Sequence, residues 1–243
     1  MKKKILVVGA GSDVAQALSR LRAERGHILW LTARSQEALQ PLLADLKVRY
    51  QAEALGFVYD AELHSAEDLM AQLPAIPDEV HVAMGYLGNP DRLDDPNDAA
   101  RILKVNFSAA VLLMNAVMHA MIEKQVKGVL VGISSVAGER GRKSNFLYGA
   151  AKAGFSTYLD GLRNAGFSHG IHVMTVKPGF IRSKMTAGLP LPGPLTASPQ
   201  QVASAIIKGM KKGRGTVYVL PVWSIIMLLI RNIPDVLFKR LNL

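Results

Sequence analysis

Cysteine is absent from this 243-residue sequence. Disulfides, thiolate metal sites and a cysteine nucleophile are therefore excluded, and a reducing compartment, the cytoplasm, is the expected location. Metal-ligand spacing is missing too: the six histidines are scattered, and the nearest pair, His169 and His172, flanks the start of a strand, so no metal is assigned. There is no helix-turn-helix spacing and no RNA-binding aromatic signature, so nucleic acid is not the expected partner for the formal net charge of +10. That charge is left to solvated lysines or to an anionic lipid surface. Apolar runs are short where a membrane reading would need them long. After Met1-Lys-Lys-Lys the run breaks at Gly9 and Gly11, too soon for a signal peptide. Ile225 to Ile230 falls far below the roughly 20 residues that span a bilayer, and Arg231 and Pro234 interrupt the chain just beyond it.

What is present is a chain long enough for one large α/β domain or two small ones. Its most informative stretch is Gly132-Ile-Ser-Ser-Val-Ala-Gly138, followed by Tyr148-Gly-Ala-Ala-Lys152. Four apart on good helix formers, Tyr148 and Lys152 share one helical face. A phenol of ordinary pKa, near ~10, carries protons reluctantly at neutral pH unless a cation stabilises its phenolate, and Lys152 is placed to be that cation. A Ser135 hydroxyl can hydrogen-bond the oxygen that gains or loses the proton. The structural alternative is that Tyr148 anchors an amphipathic helix and Lys152 snorkels at its rim.

Ser135-Val-Ala-Gly138, then Tyr148 and Lys152, resemble the active-site segment of the short-chain dehydrogenase/reductase family, and the likeness extends from Ile5 to about Leu220. The interval to Tyr148 selects Ser135 over Ser134. Lys3 to Val8 is a continuous apolar run that reads as a parallel strand buried on both faces. It leads through Gly9-Ala-Gly11-Ser12-Asp13-Val14-Ala15 into a helical pattern, the context in which a glycine turn receives a dinucleotide pyrophosphate. Against the family pattern Thr-Gly-x-x-x-Gly-x-Gly, Val8, Asp13 and Ala15 are departures. A carboxylate beside a pyrophosphate repels it, so Asp13 is expected to turn back and cap the helix. The second strand, Ile28 to Ala33, ends without an acidic residue; Arg34 and Ser35 offer a cation and a hydroxyl to a 2′-phosphate. NADP(H) is the expected cofactor, while Glu37 keeps NAD(H) open.

By the same resemblance Asp60-Ala61 lies against the adenine, although Asp60 also reads as a turn former. Ala83-Met-Gly85 stands where the family has Asn-Ala-Gly; Gly85 allows close backbone approach, but Ala83 has lost a strand-tying amide. Asn106 falls inside a long apolar helix expected over Asp98 to Lys124, where it is either a satisfied core amide or, as the family resemblance implies, the residue that holds a proton-relay water to Lys152. Pro178-Gly179-Phe-Ile181-Arg-Ser183 resembles the segment that closes over the nicotinamide. Met185 to Pro199 is a low-polarity stretch that suits a lid, or an ordinary surface loop.

The expected architecture is a Rossmann-type, doubly wound parallel seven-stranded sheet in a single domain, residues 1–220, with an apolar, basic helical tail over 221–243. The tail, with its tryptophan, aliphatics and Lys239-Arg240, suits an in-plane anchor on the inner face of an anionic membrane, or a cover for the pocket or an oligomer interface. The family likeness implies hydride transfer between a nicotinamide and a carbonyl or secondary alcohol, and a homodimer or homotetramer. The apolar lid and tail point to a lipophilic ketone. The turn and tail are also similar to those of reductases acting on polyprenyl-phosphate-linked keto sugars. Two rivals are a non-catalytic NADP(H)-binding sensor or scaffold at a membrane surface, and a sugar-nucleotide epimerase, which the short region after Pro178 disfavours.

Overall fold

The structure, a computed structural model, describes residues 2–89 and 95–241. Apolar, β-branched runs bounded by glycines and polar turns make the strands: β1 (Lys4–Val8), β2 (Ile28–Ala33), β3 (Ala54–Val58), β4 (Glu79–Val82), β5 (Val129–Ile133), β6 (His172–Lys177), the short pair β7 (Phe180–Ile181) and β8 (Thr196–Ala197), and β9 (Thr216–Tyr218). Seven of them form one parallel sheet in the order β3-β2-β1-β4-β5-β6-β9. Helices cover both faces, which is why strands such as β1, with Ile5 to Val8 at most 1% exposed, are apolar throughout rather than alternating.

On one face lie α1 (Asp13–Ala23), α2 (Gln36–Tyr50) and α7 (Pro199–Lys211), and on the other α3 (Ala66–Gln72), α4 (Pro96–Leu103), α5 (Ala109–Glu123) and α6 (Phe146–Phe167). The expected single helix around Asn106 is continuous from Pro96 to Glu123 but carries a π-turn over Lys104–Ser108, where the Ala109 N–H bonds the Lys104 carbonyl. This helix is long and apolar enough to cross a membrane by length and composition. Its Leu113, Met114, Val117 and Met121 nevertheless sit fully buried in the core under the sheet.

The strand order reverses between β1 and β4, and the crevice at their carboxyl ends is where such sheets receive ligands. Gly9 closes that crevice tightly. Its φ of +86° is left-handed, and a Cβ there would lie 2.9 Å from the Met84 nitrogen.

The tail folds as α8 (Val222–Asn232) and α9 (Asp235–Phe238). Trp223 and Met227 pack inward with Val136, while Ile225, Leu228 and Leu229 face out. The tryptophan thus sides with the reading of the tail as a cover, while the outward apolar face leaves the other reading open. Period 3.6 puts Trp223 and Met227 on one stripe, and the protein covers that stripe.

Candidate active site

β5 leads directly into Ser134 and Ser135, and the two diverge. The Ser134 hydroxyl turns under α6, donating to the Lys152 carbonyl (2.9 Å) and sharing a 2.7 Å hydrogen bond with Ser156. Ser135 is left for the crevice side, its oxygen accepting from the Ala137 N–H at 3.1 Å. The loop behind it is moulded onto α6. A Cβ at Gly138 would lie 2.6 Å from the Ala153 nitrogen, and one at Gly149 2.8 Å from the Ala137 carbonyl oxygen. These glycines let the serine turn and the tyrosine–lysine face of α6 approach each other.

Burial governs the ionisation of both members of that face. Desolvation pushes the Tyr148 phenol up to about 12, against a hydrogen bond from Ser135 that pulls it down. Desolvation also lowers the Lys152 ammonium to about 8. Lys152 is 3% exposed, its Nζ donates to the Ile133 carbonyl at 3.1 Å, and it stands 5.7 Å from the centre of the Tyr148 ring. The expected lowering of the Tyr148 pKa by Lys152 is thus absent from this arrangement, because the ammonium is aimed at a backbone carbonyl and both groups have lost water.

Asn106 is a satisfied core amide. Its Oδ1 accepts from the Tyr86 N–H at 3.2 Å, and its Nδ2 donates to the carbonyls of Tyr86 (2.6 Å) and Ile102 (2.9 Å). It thereby ties the segment after β4 to the π-turn, a strand-tying job akin to the one that Ala83 cannot do. Gly85 lies between the two groups. A Cβ there would be 3.3 Å from Asn106 Oδ1 and 3.9 Å from Lys152 Nζ.

At the glycine turn, Ser12 rather than Asp13 caps α1, its oxygen accepting from the Ala15 N–H. This corrects the expectation for Asp13. As the first helical residue it is too far along to cap, and its Oδ2 instead accepts the Lys184 N–H at 2.7 Å, across 171 residues. Val14 and Ala15 are buried in the packing of α1, whereas a Cβ at Gly11 would meet nothing within 4 Å. Open space therefore fronts the α1 N-terminus, as a phosphate there requires. Ser35 caps α2 through the Ala38 N–H, and Arg34 is exposed with no hydrogen-bond or ion-pair partner among the described residues. Asp60 forms a turn, accepting the Glu62 N–H at 2.9 Å, and Ala61 packs its methyl into the core.

Pro178 accepts the Val136 N–H at 3.0 Å, so the segment after β6 is laced to the serine turn. Gly179 is crowded by the tail, since a Cβ there would lie 2.0 Å from Trp223. Ile181 and Ser183 are both bonded to Thr186, through the Ile181 carbonyl and the Ser183 N–H. A cavity of about 690 Å³ opens beside this segment, lined by Asp13, Arg182, Ser183, Lys184, Thr186 and Leu189 among others. Sequence reasoning missed Glu139 and Arg140, whose side chains, the first buried and the second half-buried, bind the tail to the loop after Ser135. Two adjacent charges in a loop carry no periodicity, and nothing in the sequence says what they face.

Residues 3–191 match the profile of the short chain dehydrogenase family. Over 98% of its length the chain is 33% identical to the "uncharacterized oxidoreductase in mprA 5′ region" of Streptomyces coelicolor, covering 96% of that protein. It is 28% identical to a 3-oxoacyl-acyl-carrier-protein reductase of Vibrio cholerae, with 84% of this chain and 88% of that one covered. In fold it is similar to a short-chain dehydrogenase from Sphingobium yanoikuyae in complex with NADPH (TM-score 0.81, 21% identity, 96% and 97% covered). The same holds for one from Burkholderia cenocepacia in complex with NADP (TM-score 0.82, 18% identity, 100% and 98% covered). With a family match across most of the sequence, a seven-stranded parallel sheet and serine, tyrosine and lysine gathered at its carboxyl edge, the chain belongs to the short chain dehydrogenase family of oxidoreductases.

Proposed function

We propose that the protein reduces the carbonyl of an apolar substrate with NADPH, Tyr148 acting as proton donor. The observation that carries this reading is the hydrogen bond between half-buried Tyr148 and Ser135, with Lys152 on the same helix face. A phenol still protonated at neutral pH can give its proton to the alkoxide that hydride addition creates. Bound at the glycine turn, NADPH supplies the hydride to the carbonyl carbon. The carbonyl oxygen, gaining charge, accepts a hydrogen bond from Ser135 and takes the Tyr148 proton. Lys152, bonded to the Ile133 carbonyl at rest, would stabilise the phenolate once the proton has left, and Asn106, its amide already satisfied, keeps Tyr86 and the π-turn beside it.

The cofactor assignment is supported by unpartnered Arg34, by the lack of an acidic residue at the end of β2, and by the NADPH and NADP carried by the two structural neighbours. Gly9, Gly11, Ser12 and Val14 would receive the pyrophosphate, Arg34 and Ser35 the 2′-phosphate, and Asp60 and Ala61 the adenine. Gly85, Pro178, Gly179, Ile181 and Ser183 would line the nicotinamide end. Asp13 is engaged with Lys184 and is no longer assigned to the phosphate. NAD(H) is the second choice.

A lipophilic ketone or lipid-carried keto sugar is supported by the exposed Met185 and Leu189 of the lid segment and by the outward apolar face of α8. That face, beside Lys239 and Arg240, also suits peripheral docking on an anionic leaflet from the cytoplasmic side. Exposed Leu112 of α5 and Phe146 and Phe167 of α6 suit a homodimer or homotetramer. The second reading, an NADP(H)-binding sensor or scaffold, draws on Asp13 and Ala83, which depart from the family pattern.

NADPH oxidation against a panel of apolar ketones and lipid-linked keto sugars, with NADPH binding titrated in parallel, tests the proposal. Tyr148→Phe is expected to lower turnover by at least about 100-fold while NADPH binding survives. Arg34→Glu should weaken NADPH and spare NADH. Tight NADPH binding with no turnover across the panel would favour the sensor.

A further inference from the structure

We propose that Glu139 and Arg140 are positioning residues that make the α8–α9 tail a working part of the active site, holding the Ser135 turn and the Pro178–Gly179 segment in register. The inference rests on the assignment of Ser135 to the reaction. Four and five residues beyond Ser135, these two side chains tie the loop to everything around it. The Glu139 carboxylate, 3% exposed, receives Lys177 Nζ (2.5 Å), the Tyr218 hydroxyl (3.0 Å) and Arg231 (3.2 Å). One buried anion thus joins the serine loop, the ends of β6 and β9, and α8. Burying a carboxylate is costly unless it is fully paired, so this junction holds only while all its partners are seated.

Arg140 completes the fastening. Its Nη1 lies within hydrogen-bond distance of the carbonyls of Ile230 (2.8 Å), Arg231 (3.2 Å) and Ile233 (2.5 Å) at the end of α8, of which Ile230 also accepts the Ile233 N–H. Its Nη2 bonds Asp235 (2.6 Å), and the guanidinium lies 3.8 Å from the centre of the Phe238 ring. At the other end of α8, Trp223 fills the space that glycine leaves at position 179 and donates to the Leu195 carbonyl at 3.1 Å. The tail is therefore held at the serine loop, the nicotinamide-side segment and the lid.

The proposal is tested by amide hydrogen exchange on Arg140→Ala and Arg140→Lys, a readout that needs no substrate. Arg140→Ala should speed exchange about tenfold at 136–140 and 178–183 as well as in α8, with the central strands unchanged, and Arg140→Lys should restore part of the protection. Faster exchange confined to 221–241 would overturn the coupling, and a uniform rise across the sheet would reduce Arg140 to a stability role. With any substrate turned over, Arg140→Ala should lower kcat about tenfold, and Arg140→Lys should restore part of it. Failure to find a substrate would bear on the proposed reaction and leave the exchange result standing.

Discussion

Tyr148 and Lys152 project from one face of α6, yet water, not their mutual charge, sets how they titrate. The phenol is raised and the ammonium lowered because packing has taken solvent from each. A phenol at about 12 stays protonated throughout the neutral range, so it imposes no pH limit there. Lys152, depressed to about 8, loses its charge as pH rises through that value, and with it the group that stabilises the phenolate. The expected kcat profile for reduction is therefore flat below about pH 7 and falls above about 8. A rate unchanged up to pH 10 would remove the charge on Lys152 from the mechanism.

Among the elements, α8 divides its residues most sharply. Its inner stripe, Trp223 and Met227, is at most 4% exposed, whereas Ile225 and Leu229 on the outer stripe are 62% and 66% exposed. Apolar side chains left in water on one helix face favour an interface, and the cations of the tail favour an anionic one. Leu229→Glu is expected to abolish cosedimentation with vesicles containing anionic lipid while leaving the fold intact. Unaltered cosedimentation, or none by the wild-type protein, would remove the outer face of α8 as a lipid contact. Gly179 shows a neighbouring element under the opposite constraint, since any side chain there collides with Trp223 and would have to displace the tail.

In the whole molecule, one buried ionic cluster lies at the amino end of the sheet, remote from the site. Glu79, with no exposed side-chain surface, is bonded to Arg22 and, at 2.5 Å, to His81. Burial pushes its carboxyl up, but His81 and Arg22 outweigh that and hold it at about 2. A carboxyl held below its ordinary value stabilises the fold fully above pH 4.5, and that contribution is lost as pH falls towards 2. Glu79→Gln should therefore destabilise the protein by about 3 kcal/mol at pH 7, seen in denaturant unfolding, and the loss should shrink in acid. Equal stability of the two proteins at pH 7 would mean that the cluster contributes nothing net.

Much of this was legible in the sequence for a local reason. Apolar runs ending in glycine announce buried parallel strands, and an i, i+4 tyrosine and lysine must share a helix face whatever surrounds them. The individual strands and the shared face of Tyr148 and Lys152 follow from spacing and periodicity, while the choice of Ser135 and the seven-stranded order follow from the family resemblance. The remaining features depend on partners far away in the chain. Asp13 looked like a cap but meets Lys184; Asn106 sits in a π-turn and closes on Tyr86; Trp223 turns inward onto Gly179; Glu139 and Arg140 find Arg231 and the end of α8. Residue type and local spacing determine which faces are apolar and which groups can exchange protons. Only the packed structure decides which distant carbonyl or charge each polar group meets and how much water it loses, and those two quantities set its ionisation and its role.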